Sequence, residues 1–223
     1  MSAQAIRLKG DREAEFERLR NRIGIEASDA ESHFYLLKGL DESRKEYYRE
    51  MVQSNTLWHL TFIAHRDAVL SHLCRLYDKD SAALSLGRFL LTVKANRDLF
   101  SDTAFRQRLK DNSHVDTLVQ DRDFDDVELD EDLASVSDRD PFVSKLLALR
   151  NDAISHTAAD SVRRAARQTW LAARDFEVLL SRASNITSKY SLRYRASRFG
   201  GIAGADDYKS MLLLLRRALS VGR

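Results

Sequence analysis

The sequence predicts an all-α protein, an up-and-down helical bundle of four core helices with accessory helices around them. Three observations carry that expectation. One Pro and eight Gly among 223 residues are too few to turn the many short strands of an all-β chain. Apolar residues recur at spacings of three, four and seven over long stretches, the period of amphipathic helices. With 43% hydrophobic and 31% charged residues, the chain can bury a core under a charged surface, which excludes collagen-like and low-complexity classes. The only cysteine, Cys74, allows no intrachain disulfide, which suits a reducing, cytoplasmic setting. The longest strongly apolar run, Met211–Leu215, is far short of the roughly 20 residues of a membrane span, so no membrane partner is expected. No apolar segment of a secretory signal follows Met1–Lys9.

The elements follow in order. Residues 1–27 are rich in Arg and Glu and poor in large apolar groups, and read as a flexible or helical N-terminal extension. Ser28-Asp29-Ala30-Glu31 has the form of a capping box, starting a helix through Phe34 and Leu37 that Gly39 would end. Asp41 can cap a second helix, with Tyr47, Met51, Leu57, Trp58, Phe62, Val69, Leu73 and Leu76 on its apolar side, running to about Tyr77. A turn at Asp78–Ser81 leads to a helix from Leu84 to about Arg97, and a short helix is expected near Thr103–Leu109. Residues 111–137 lose all periodicity and read as a long acidic loop. Asp140-Pro141 then starts a helix, with Asp as N-cap and Pro at the first helical position. Phe142, Leu146, Leu147, Leu149 and Ile154 continue it, with a break at 157–160. A long helix is expected from Ser161 to Lys189, then a Gly-containing loop over 190–205 and a last helix after Asp206-Asp207. The bundle proper is thus expected over 28–190, with 191–223 as a basic loop and C-terminal helix.

Charge is distributed unevenly. The net charge is only +2, yet Asp121–Asp140 alone contains ten acidic and two basic residues. The body is therefore basic and carries an acidic insert. The default reading of that insert is a solvated loop. The sharper one is a polyanion mimic that covers a basic groove.

Most familiar catalytic motifs are missing: HExxH, paired ExxH, CxxC and Gly-rich phosphate loops do not occur. No metal and no cofactor are expected. His59, His65 and His72 share one helix, but no carboxylate or thiol stands at ligand spacing, and they read as polar histidines on a helix flank.

The most informative string is Leu149-Arg150-Asn151-Asp152-Ala153-Ile154-Ser155-His156. Asp152 and His156 are i,i+4 neighbours on a regular helix, so the carboxylate can orient the imidazole. Arg150 lies six residues before His156, a gap that its long side chain can close. A permanent guanidinium beside a titratable imidazole suits RNA phosphodiester cleavage. The imidazole moves a proton to or from the 2′-OH or the leaving oxygen, and the guanidinium stabilises extra negative charge on phosphorus. The competing reading is a helix-end ion-pair cluster near the C-terminal dipole.

This string resembles the signature of the HEPN superfamily: Arg, a polar residue, a short spacer, then His. The upstream helix ending Leu73-Cys74-Arg75-Leu76-Tyr77-Asp78, the Ser/Leu-rich helix after it and the Leu-rich helix into Arg150 are similar to the abortive-infection branch. The similarity spans roughly residues 30–190. It implies an all-α bundle that pairs as a homodimer, with two Arg/His sites facing one cleft. It also implies a metal-independent endoribonuclease of toxin–antitoxin or phage-defence type, with RNA as substrate and an antitoxin protein as a further partner. Arg150 and His156 would be catalytic, and Asn151, Asp152 and Ser155 supporting. Some members of the superfamily have lost catalysis, so a module that binds nucleotide, RNA or a protein partner stays open.

Between 161 and 198 there are nine basic and two acidic residues. Arg163, Arg164, Arg167, Arg193 and Arg195, with Tyr190 interleaved, form a candidate nucleic-acid surface, since cations hold phosphates and aromatics stack on bases. An ordinary solvated helix face is the alternative.

Overall fold

A computed structural model describes residues 8, 11–80, 82–120, 125–155, 171–200 and 206–221, with side chains to Arg150 and from Leu171 onward. Every regular element among these residues is helical, as the sequence predicts.

The first helix, α1, runs unbroken over Arg12–Ser43. Phe16, Arg20, Ile23, Ala27, Ala30 and Phe34 are all buried. Their alternating spacing of four and three is a helix stripe. The expected start at Ser28 is therefore corrected: Ser28 is mid-helix, and its carbonyl accepts from Ser32 Oγ at 2.8 Å. Gly39 does not end the helix either. A Cβ there would overlap the Tyr208 hydroxyl, so glycine serves a close approach.

The single helix expected from Asp41 to Tyr77 is instead two, α2 (Tyr48–Val52) and α3 (Asn55–Leu76). A straight helix would hold Tyr47 and Trp58 about 16 Å apart along its axis. The breaks let both join one cluster with Leu40, Met51 and Leu212.

Next come α4 (Leu86–Ala95), capped by Ser85, a 3₁₀ turn (Arg97–Phe100) and α5 (Asp102–Arg108), capped by Ser101. The stretch 111–137 is not a long loop. It holds α6 (Val115–Gln120) and α7 (Asp126–Ser135). Asp125 caps α7 by accepting from Val127 N at 2.8 Å, and the helix carboxylates meet cations on α4 and further along the chain, so acidity is no bar to helix here.

Helix α8 (Pro141–Ser155) starts where expected, with Asp140 Oδ1 accepting from Phe142 N at 3.0 Å and Val143 N at 3.1 Å. Helix α9 (Ala173–Arg195) runs past Lys189, so residues 190–195 are helix rather than loop. Tyr190 and Tyr194 are buried, and their packing extends the apolar stripe beyond Lys189. Helix α10 (Asp207–Val221) closes the described chain.

The chain divides into two compact units, Met1–Ala27 with Leu73–Phe199, and Ser28–His72 with Gly200–Arg223. The first has an aromatic centre. Phe16 lies 5.8 Å from Phe89, 5.4 Å edge-on from Phe100 and 4.8 Å from Tyr194 between ring centroids, distances at which aromatic pairs attract beyond their burial. Leu73, Leu76, Leu90, Phe105, Val143, Leu146, Leu179 and Ala183 of the same unit are buried as well. In the second unit, Arg216 sits 3.9 Å above the Tyr47 ring and pairs with Glu50 at 3.0 Å and Glu46 at 3.1 Å.

Candidate active site at the end of helix α8

Helix α8 is fixed at both ends of its described part. At its start, the Asp140 cap also pairs with Arg182 at 3.0 Å. Burial opposes ionisation of Asp140, but Arg182 and the two backbone N–H groups outweigh it and hold the carboxyl below its usual range. Val143, Leu146 and Leu149 form the buried side, which sets the rotation of the helix. Lys145 pairs with Asp175 at the first turn of α9. Arg150 follows directly on buried Leu149, so its side chain emerges at the edge of the core.

There it meets Asp78, two residues past the end of α3: Arg150 Nη1 donates to Asp78 Oδ2 at 2.9 Å. The guanidinium side chain is 36% exposed and the carboxylate only 16%. Arg150 is thus anchored through Nη1 while its side chain keeps access to solvent, as an electrostatic clamp requires. Cys74 lies one helical turn before Asp78 and shares this neighbourhood. Burial pushes its thiol up to about 11, against a smaller opposite pull from Arg150, so it is a packed thiol rather than a nucleophile.

A family model, HEPN_AbiU2 (AbiU2), matches residues 13–218, nearly the whole chain and with it Asp78, Arg150 and His156. The chain belongs to the HEPN superfamily. Its place within that superfamily is the abortive-infection branch, as the resemblance implied. No curated protein and no solved structure gives a significant match.

For this HEPN protein, the remaining sequence candidates fall into three groups. The backbone of Asn151, Asp152 and Ser155 is helical, and their side chains lie outside the described residues, as do all of His156, Arg163, Arg164 and Arg167. Arg193 and Arg195 are described and paired. Arg193 bonds Glu128 at 2.6 Å, and Arg195 bonds Glu17 at 2.9 Å. Tyr190 is corrected: its ring is fully buried, edge-on to Phe89 at 6.1 Å, and its hydroxyl donates to Asp132 at 2.9 Å. A ring with no open face cannot stack on a base.

Among the three histidines of α3, His65 and His72 both meet His33 of α1, a neighbour that sequence reasoning missed. Among the described residues, no group of three or more His, Cys, Asp or Glu is arranged to hold a metal ion. No described helix is long and apolar enough to cross a membrane. The site residue that the sequence did not assign is Asp78. Its signals were the break in periodicity after Tyr77 and its place at the end of the family-like Leu73–Asp78 string, but nothing local reveals a partner 72 residues away.

Proposed function

We propose that this HEPN protein is a metal-independent endoribonuclease of toxin–antitoxin or phage-defence type. The observation that carries the reading is the Arg150–Asp78 pair, which holds a permanent cation in the second half of α8, six residues before His156 in the sequence. Arg150 stabilises the charge that builds on the phosphorus oxygens. His156 transfers the proton between the 2′-OH, the phosphate and the leaving 5′-oxygen. Asp152, four residues before His156, biases its tautomer, while Asn151 and Ser155 support the same helix end. One Arg and one His per chain fit half of a symmetric cleft, so the acting form is a C₂ homodimer. An antitoxin protein is a further partner and the cytoplasm the working compartment.

The deciding experiment is cleavage of single-stranded RNA in excess EDTA by the wild type, Arg150→Ala and His156→Ala. The expected result is wild-type cleavage leaving a 2′,3′-cyclic phosphate, with each variant slowed about 10²–10⁴-fold. Cleavage that stops in EDTA, or that persists in folded His156→Ala, overturns the mechanism. The second reading, a non-catalytic binding module, draws on the same pair, because an Arg already bonded to a carboxylate also serves as a plain helix-end tie.

A further inference from the structure

Helix α7 lies against a strip of cations. Along one of its sides, Asp126 pairs with Arg97 and Asp130 with Lys94, the latter at 2.5 Å. Along another, Glu128 bonds Lys189 at 2.8 Å and Arg193 at 2.6 Å, while Asp132 bonds Lys189 at 2.8 Å. Asp126 and Asp130 are four residues apart, as are Glu128 and Asp132. Each row therefore repeats about every 6 Å along the helix axis, the scale on which successive phosphates follow one another in a nucleic-acid strand. Lys189 and Arg193 are likewise one turn apart on α9.

The apolar seat under this helix is small. Leu129 is its one buried residue, with Val136 just beyond its end. Asp132 is also fixed by the Tyr190 hydroxyl. The other three carboxylates are 33–58% exposed, so their pairs are individually weak and screened by salt.

We propose that Lys94, Arg97, Lys189 and Arg193 form a binding strip for the phosphodiester backbone of single-stranded RNA, and that α7 fills it as a displaceable stand-in. The four cations share one sign, and each of them is paired with a carboxylate of α7. That suits a regular polyanion better than an acidic protein face, whose affinity would need deep apolar anchors. Binding replaces the α7 carboxylates by phosphates. In the closed form the cations are already neutralised and release few counterions, so RNA binding has a shallow salt dependence until α7 is discharged.

The test uses the full chain carrying His156→Ala, in EDTA, so that it reads binding whether or not the protein cleaves RNA. Asp126→Asn, Glu128→Gln and Asp130→Asn are combined, and Asp132 is kept because Tyr190 depends on it. Anisotropy of a labelled single-stranded RNA across a salt series should show about tenfold tighter binding at low salt. The slope of log K against log salt should steepen by up to about 2, the value for the three cations that the variant releases on a single strand, Lys189 staying paired with Asp132. Adding Lys189→Gln and Arg193→Gln should remove part of the gain, and adding Lys94→Gln and Arg97→Gln the rest. Independently of these variants, saturating RNA should raise hydrogen exchange in α7 of the chain with its acidic residues intact. Unchanged affinity and slope in a folded triple variant overturn the proposal. So does α7 staying protected at saturation, and so does polyglutamate binding the discharged protein as tightly as RNA.

Discussion

The Nδ1 atoms of His33 and His65 lie 2.8 Å apart, joining α1 to α3 through one shared proton. One ring must donate and the other accept, so the contact is lost when both are protonated. The His72 ring stacks on His33 at 5.6 Å between centroids, and Asp29 favours charge on His33.

A pH dependence follows. Burial lowers both histidines, with a second contribution on His33 from His72 and on His65 from His33. A group whose folded pKa is depressed supports the fold above its ordinary value and loses that support as pH falls through the folded one. The Tm of the wild type should drop more between pH 7.5 and pH 5 than that of His33→Gln/His65→Gln. Equal drops in thermal melts would remove the pair from the pH response.

Tyr190 and Tyr194 should respond oppositely to loss of their hydroxyls. Tyr190 donates to Asp132, whereas the buried Tyr194 hydroxyl has no hydrogen-bond partner among the described residues. Tyr190→Phe should cost about 1–3 kcal/mol by urea unfolding, while Tyr194→Phe should be neutral or stabilising. A Tyr194→Phe cost as large as that of Tyr190→Phe would show that its hydroxyl is bonded in solution.

Gly39 should be intolerant of a methyl group although alanine is the better helix former by about 1 kcal/mol. The cause is the Tyr208 hydroxyl. Gly39→Ala should destabilise the wild type but cost little, or stabilise, in a Tyr208→Ala background. Additive effects in this double-mutant cycle would place the conflict elsewhere.

Asp78 should act on cleavage only through Arg150. Asp78→Asn keeps the shape but loses the charge, so cleavage should fall less than in Arg150→Ala, by about tenfold or below, a loss on the scale of one charged hydrogen bond. In Arg150→Ala the effect of Asp78→Asn should vanish. A further fall in the double variant would give Asp78 a role of its own. Cys74 should react slowly with a disulfide reagent at pH 8, because burial holds its thiol near 11; fast labelling of the native protein would contradict that burial.

The parts of the fold legible in the sequence are those specified locally. The Asp140-Pro141 start of α8 needs only a short carboxylate and a ring that fixes φ, and both act within three residues. The Arg150 to His156 string and its family were readable for the same reason, since its spacing survives any packing. Where reading failed, the information was not local. The buried stripe of α1 runs through Arg20 and two alanines, so no apolar period marks it. Arg20 belongs inside only because Ser191 accepts from it at 2.5 Å, Glu17 at 2.9 Å, and the Phe199 ring lies 5.2 Å away.

By itself, then, the sequence determined an all-α HEPN chain with an Arg and a His six residues apart, because period, caps and motif spacing are short-range properties of the chain. Tertiary structure alone decided that the acidic stretch holds the helix Asp126–Ser135, that Tyr190 is core, and that Arg150 answers to Asp78. Each depends on a partner dozens of residues away: cations of α4 and α9 for the α7 carboxylates, Phe89 and Asp132 for Tyr190, Asp78 just past α3 for Arg150. Charge pairing and burial are set by distance in space, and the linear order of residues does not contain that distance until the helices pack.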